Sequence, residues 1–181
     1  TDAPLYHRPL ATGGLVALNV VVFLTTWAIA LQTDDPTLLQ PYVLQFGQGL
    51  HPMQWLTANF LHTNFLHLLG NMFGLWAFGL IVEGKIGWRL FLALYLGLGI
   101  VALSLVQWLA LNLPQGCGLG ASAVIYALMG IALIWAPLNE LHCFALVRFH
   151  ACTFEITVWA MALLYIGLEL LLAMLGRQLV T

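Results

Sequence analysis

Three polar side chains in strongly apolar parts of the sequence could together perform acyl-transfer chemistry. His67 and Asn71 are four residues apart, which places them on one helix face about one turn from each other. Ser122 lies in the run Gly120-Ala-Ser-Ala, whose small side chains leave its hydroxyl open. Acyl transfer needs a nucleophile, a base and donors for an oxyanion. Each motif taken alone also admits a structural interpretation, as a hydrogen-bonded or tightly packed helix contact.

Small residues around both motifs predict the elements that must position them. Gly70 and Gly74 have the Gly-x-x-x-Gly spacing that lets another helix approach closely. A second helix that begins near residues 118–121 would direct free backbone N–H groups toward whatever binds beside Ser122.

The composition explains why these polar residues stand out. The 181 residues are 62% hydrophobic and 7% charged, whereas soluble domains are roughly 45–50% apolar and about 25% charged. So few charges exclude a soluble globular domain. Five Lys and Arg against seven Asp and Glu leave no basic patch for nucleic acid. An integral protein of the lipid bilayer remains, and there a strongly polar side chain indicates function by default.

Five apolar stretches are long enough to cross a bilayer as helices. They cover residues 10–31, 65–82, 88–111, 119–136 and 156–175. The sequence therefore predicts an all-α, polytopic transmembrane helical bundle that forms a single domain over residues 1–181. Four of the five cations, Arg8, Lys85, Arg89 and Arg148, fall on one side, which predicts a cytoplasmic N-terminus.

Two connections between these stretches carry further signals. Residues 32–57 combine apolar side chains with three prolines, which predicts a structured segment in the membrane interface. Residues 137–155 read as a cytoplasmic loop and contain His142-Cys143 and His150-x-Cys152. That spacing matches no common zinc pattern, so we expect an ordinary loop with reduced cysteines and no metal. Cys117, on the outer side, is expected to be unpaired.

Polar side chains inside the other stretches have a simple interpretation. Asn19 and Gln107 are expected to form hydrogen bonds between helices. Glu169 is expected to be protonated or bonded to a neighbouring helix; the alternative is that it lines a water-filled cavity.

Three motifs in chain order resemble the rhomboid family of intramembrane serine proteases. They are His62-x4-His67-x3-Asn71, Glu83-x3-Gly87 and Gly120-Ala-Ser122-Ala-x2-Tyr126. The resemblance covers nearly the whole chain. It implies hydrolysis of peptide bonds in or near transmembrane segments of membrane-protein substrates, with no cofactor. It also implies a multi-pass protein, which we expect in a bacterial inner membrane.

The resemblance also implies roles for individual residues. Ser122 corresponds to the nucleophile, and the side chains of His67 and Asn71, with the backbone N–H of Ser122, correspond to the oxyanion donors. Tyr126 corresponds to the aromatic residue that packs on the catalytic histidine, next to Gly120 and Ala123. Trp55 corresponds to the family's membrane-embedded first loop, and Glu83 to a structural carboxylate.

The sequence departs from the family pattern at two points. Ala123 stands where the family usually has glycine, and no histidine follows His150, although the family's general base is a histidine on a sixth helix. We therefore expect a sixth span beyond Thr181 that supplies this base.

The sequence leaves three alternatives to a protease whose base lies on a sixth helix. The chain could be an inactive rhomboid-like protein that binds membrane clients, or His67 could itself serve as the base. An unrelated transporter with a polar path along His67, Asn71 and Glu169 is disfavoured, because paired broken helices are missing from the sequence pattern.

Overall fold

The computed structural model describes residues 6–33, 35, 37–147 and 150–178. This part of the chain contains six α-helices: α1 (Leu10–Thr33), α2 (Pro52–Thr57), α3 (Phe65–Ile86), α4 (Trp88–Leu109), α5 (Ser122–Trp135) and α6 (Val158–Gln178). Of the described helices, α1, α3 and α4 are long and apolar enough to span a membrane, and the apolar parts of α5 and α6 are shorter. The predicted helical membrane bundle is confirmed. Helix α5 begins three residues later than the predicted stretch 119–136, and α6 begins two residues later than the predicted stretch 156–175.

Helix α3 lies at the centre of the bundle. Phe78 of α3, Ile125 of α5 and Tyr165 of α6 are fully buried in one core. Gly74 leaves room for side chains of the other two helices, because a Cβ atom there would lie 2.6 Å from the Tyr165 ring and 2.8 Å from Ile125. The small residue at this position therefore allows the close helix packing that its spacing predicts.

Glu83, near the end of α3, fixes the beginning of α1. Its buried carboxylate accepts hydrogen bonds from the N–H of Ala11 at 2.8 Å and from both the N–H and the hydroxyl of Thr12 at 2.7 Å. The first N–H groups of a helix lack partners within the helix and favour a negative charge. Glu83 therefore acts as a structural carboxylate that caps α1.

The connection between α1 and α3 is structured, as predicted. It contains a 3₁₀ turn (Gln40–Tyr42), strand β1 (Leu44–Phe46), helix α2 and a second 3₁₀ turn (Ala58–Phe60). Strand β1 pairs antiparallel with β2 (Gly116–Gly118), which immediately precedes α5. The connection is therefore joined to the segment that carries Ser122.

Gln107 of α4 anchors this connection. Its side-chain oxygen accepts hydrogen bonds from the N–H of His51 at 2.9 Å and from Nε1–H of Trp55 at 2.6 Å. Its amide nitrogen donates to the Gln45 carbonyl at 2.9 Å and to Oε1 of Gln54 at 3.1 Å. The buried amide thus uses its full capacity of two donors and two acceptor sites. Two of the four bonds reach α2, as the expected interhelical contact requires, and the others reach extended chain.

Residues 140–157 form a β-hairpin, whereas the sequence predicts an ordinary loop over 137–155. Strands β3 (Glu140–Val147) and β4 (His150–Thr157) pair antiparallel, with His142 opposite Glu155 and the two side chains 2.9 Å apart. Polar and apolar residues alternate over 140–143 in β3 and over 153–157 in β4, and this alternation is the strand signal in the sequence.

Only some of the histidines and cysteines of the expected loop lie in the described part of the hairpin. Cys143 is free and lies opposite Phe154 rather than Cys152. Within the described residues no group of three or more His, Cys, Asp or Glu side chains could hold a metal. Arg148 and the side chains of His150 and Cys152 lie outside what the structure describes.

Candidate active site

Helix α5 begins at Ser122, just after the segment 118–121 near which the sequence predicts a helix start. The preceding chain turns at Gly120, whose φ of +116° suits glycine, and the Gly120 N–H donates to the Ala58 carbonyl at 2.8 Å. Ile125 N–H donates to Ala121 O at 3.0 Å in the first turn. The earlier N–H groups of the helix, including that of Ser122, have no carbonyl partner within it.

Helix α3 begins just before the second motif. Asn64 is its N-cap residue, and Oδ1 of Asn64 accepts a hydrogen bond from the His67 N–H at 2.9 Å. This cap places His67 in the first turn and Asn71 one turn later. A Thr-Asn pair before an apolar run is a typical helix start, so Asn64 could have been recognised in the sequence.

The two motifs meet at Gly120. A Cβ atom on this residue would lie 2.7 Å from Nε2 of His67 and 3.3 Å from Nδ2 of Asn71. The structure therefore brings the polar face of α3 against the turn that leads into Ser122. Ser122 itself is half-buried, and its hydroxyl has no hydrogen-bond partner among the described residues.

Hydrogen bonding orients the His67 ring. Its Nδ1 lies 3.1 Å from the Thr63 hydroxyl, so Nε2 is the nitrogen that faces Gly120. When Thr63 donates to Nδ1, the neutral imidazole carries its proton on Nε2 and can donate toward the turn. Asn71 is fully buried, and neither its side-chain oxygen nor its nitrogen has a partner among the described residues.

His62 contacts the ring of His67. Its imidazole is buried and makes an edge-on contact with the His67 ring, with the ring centroids 5.2 Å apart. Burial, together with the neighbouring His67, lowers the pKa of His62 to about 4. His62 is therefore neutral at pH 7.

Ala123 packs into the contact between the connection and α4. It lies against a small apolar cluster whose buried members are Leu44, Ala58 and Leu103. The methyl group of Ala123, where the family usually has glycine, thus fills space beside β1.

The Ala58 carbonyl, which accepts the hydrogen bond from the Gly120 N–H, could not have been identified from the sequence. It is a backbone group, and no side-chain pattern marks it.

Tyr126 lies one turn beyond Ser122 and is 38% exposed. Its ring makes an edge-on contact with Tyr165 of α6, with the centroids 5.7 Å apart. The structure thus places Tyr126 at the boundary of α5 and α6. Packing of this ring on a catalytic histidine stays a prediction.

The fold and the site define a helical membrane protein in which a serine begins one helix, and an imidazole and an amide of a neighbouring helix approach the glycine two residues before it. Comparisons with known proteins identify the class: residues 50–180 match the family model of the Rhomboid domain. The chain belongs to the rhomboid family and is a multi-pass membrane protein.

Individual relatives agree with this assignment. Rhomboid-like protease 2 of Toxoplasma gondii is 34% identical over 154 residues, which are 78% of this chain and 53% of that protein. The chloroplastic Rhomboid-like protein 11 of Arabidopsis thaliana is 40% identical over 82 residues, 45% of this chain and 28% of the relative. The mitochondrial Presenilin-associated rhomboid-like protein of Homo sapiens is 27% identical over 130 residues, 71% of this chain and 33% of the relative. The chain thus spans about half the length, or less, of these curated relatives.

Proposed function

We propose that this protein is an intramembrane serine endopeptidase that cleaves peptide bonds in or near transmembrane segments of membrane-protein substrates. The observation that carries the proposal is the convergence of Nε2 of His67 and Nδ2 of Asn71 on Gly120, two residues before the open hydroxyl of Ser122. In this reaction the Ser122 hydroxyl attacks the substrate carbonyl, the peptide C–N bond breaks, and the amine half leaves with the proton of the serine hydroxyl. Water then hydrolyses the acyl ester, which releases the carboxylic acid half and restores Ser122.

The oxyanion that forms in the first step needs donors already in position. His67 supplies Nε2–H in the tautomer that its bond with Thr63 favours, and Asn71 supplies its amide N–H. The backbone N–H of Ser122 is a third donor at the start of α5. The general base belongs, on the family pattern, to a histidine on a further helix, and His67 cannot donate and accept at Nε2 in the same step.

The positions of the cations also indicate which face of the membrane the site opens toward. His67, Asn71 and Ser122 lie at the starts of α3 and α5, at the end of the bundle opposite Lys85 and Arg89. With the cations on the cytoplasmic side, the site opens toward the outer face of the membrane, and the N-terminus is cytoplasmic. A bacterial inner membrane fits this arrangement, although the relatives named above are eukaryotic.

The alternative function is that of a rhomboid-like protein that binds membrane clients and does not cleave them. The side chains of His67 and Asn71 near Ser122 would then serve for recognition alone.

Labelling with a fluorophosphonate probe separates the two functions. In the protein expressed from its gene, we expect the probe to label the wild type and Ser104→Ala, because Ser104 bonds only to the Val101 carbonyl of its own helix. We expect Ser122→Ala to lose the label. Equal labelling of Ser122→Ala, or no labelling of the folded wild type, would contradict the protease function.

A further inference from the structure

An apolar groove runs along the outside of the bundle between α1 and α4. It encloses about 450 Å³ and is lined by Leu10, Gly14 and Leu18 of α1 and by Trp88 and Leu92 of α4. Residues 10 to 18 of a helix extend over about 12 Å. This α1–α4 groove therefore reaches from the end of the bundle well into the depth of one leaflet.

Gly14 keeps the groove open. A Cβ atom on Gly14 would meet nothing within 4 Å, so no side chain of the described residues fills the space beside it. Leu10 and Leu18 are also largely exposed, at 66% and 46%. Because this surface faces the bilayer, an apolar molecule must occupy it.

Cations lie at the open end of the groove. The Arg89 guanidinium lies 5.1 Å from the centroid of the Trp88 ring, which itself lines the groove. Arg8 precedes Leu10 by two residues, and both arginines are exposed. The carboxylate of Glu83 does not neutralise them, because it is buried and bonded to the start of α1.

We propose that the α1–α4 groove is a binding site for an anionic phospholipid of the adjoining leaflet. One acyl chain lies along Gly14, and the phosphate binds Arg89 and Arg8. Guanidinium groups form paired hydrogen bonds with phosphate oxygens, and a tryptophan at the helix start is typical of the membrane interface. This inference rests on the membrane fold and is independent of the proposed proteolysis.

A second copy of the chain is the competing occupant. A two-fold dimer in a membrane has its axis along the membrane normal and uses the same surface on both copies. Such an interface would bring the arginines of one copy toward those of the other. The charge at the open end therefore favours a lipid with a negative headgroup.

Native mass spectrometry of the full chain in detergent, titrated with dioleoylphosphatidylglycerol or dioleoylphosphatidylcholine, tests this site. We expect the wild type to retain phosphatidylglycerol more tightly than phosphatidylcholine. Arg89→Gln should bind phosphatidylglycerol about fivefold more weakly than the wild type does, with little change in its affinity for phosphatidylcholine. Gly14→Leu fills the groove and should remove binding of both lipids. Gly13→Leu is the matched control, because Gly13 also has open space around it and does not line the groove.

Each other outcome has a defined meaning. Equal retention of lipid by Gly14→Leu and Gly13→Leu would overturn the site, and so would equal affinity of the wild type for the two lipids. A dimer that Gly14→Leu dissociates would also overturn it in favour of a second copy. Thermal unfolding of each variant verifies that it is folded.

Discussion

Gly120 is the residue on which the geometry of the candidate site depends most directly. It combines a positive φ, a backbone bond to Ala58 and contact with the side chains of His67 and Asn71. Any side chain here would occupy the space in which the imidazole and the amide converge. The residue therefore couples the conformation of the turn before Ser122 to the positions of the proposed donors.

Replacement of Gly120 by alanine should damage both stability and labelling. The positive φ costs an alanine about 1 kcal/mol or more, and the new Cβ lies 2.7 Å from Nε2 of His67. We expect a lower unfolding temperature and at least about tenfold slower fluorophosphonate labelling, equivalent to roughly 1.4 kcal/mol in the barrier.

Gly130→Ala, within the following helix α5, is the control. Its Cβ would meet nothing within 4 Å, so unchanged labelling and slightly higher stability are expected. If Gly120→Ala labelled as fast as Gly130→Ala, the turn would have no role in positioning the site.

His62 should make the stability of the protein depend on pH. Its folded pKa of about 4 lies below the unfolded value of about 6.5, so the unfolded state binds more protons between these values. The contribution of His62 to stability is therefore complete above about pH 6.5 and is lost as the pH falls toward 4. The unfolding temperature of the wild type should fall over this range more steeply than that of His62→Gln. Parallel curves for the two proteins would show that His62 is not responsible.

Among individual residues, the sequence predicts the side chains of the candidate site better than the backbone groups that hold them. The spacing of His67 and Asn71 and the small residues around Ser122 suffice to predict one shared site, because polar groups inside a membrane are costly and few. The Ala58 carbonyl and the tautomer set by Thr63 depend on contacts across the fold. No local pattern encodes such contacts.

Among the elements, the connection between α1 and α3 is the one that joins the bundle to the site. Gln107 holds it from α4, strand β1 pairs with β2, and Ala58 holds the turn at Gly120. The sequence predicted that this connection is structured, from its apolar residues and prolines, but not the strand pairing, which involves only three residues on each side. The β3–β4 hairpin was missed for a different reason, since its alternating pattern lies between two strong helical signals.

Gln107→Leu should loosen this connection and leave the helices in place. The change removes four hydrogen bonds and leaves the Trp55 Nε1–H and backbone groups of His51 and Gln45 unpaired, at a cost of about 1–3 kcal/mol for each group that stays buried. We expect faster hydrogen exchange at the β1 and β2 amides. Gln115→Leu, at an exposed position, should exchange like the wild type; equal protection in both variants would mean that Gln107 is not the anchor.

For the whole molecule, the cysteines can test orientation directly. Cys117 is exposed at the end that holds Ser122, and Cys143 lies on the hairpin after α5. In intact cells a membrane-impermeant maleimide should label a variant that retains only Cys117. A variant that retains only Cys143 should react after permeabilisation. The reverse pattern would place the N-terminus outside and the site on the cytoplasmic face.

Mass spectrometry of a transmembrane substrate incubated with the protein in proteoliposomes shows whether Ser122 cleaves within the membrane. We expect the wild type and Ser104→Ala to cleave one or a few bonds near the outer end of the substrate segment. We expect no products with Ser122→Ala, once its unfolding temperature shows that it is folded. Equal cleavage by Ser122→Ala, or binding of the substrate by the wild type with no cleavage, would refute the proposed proteolysis.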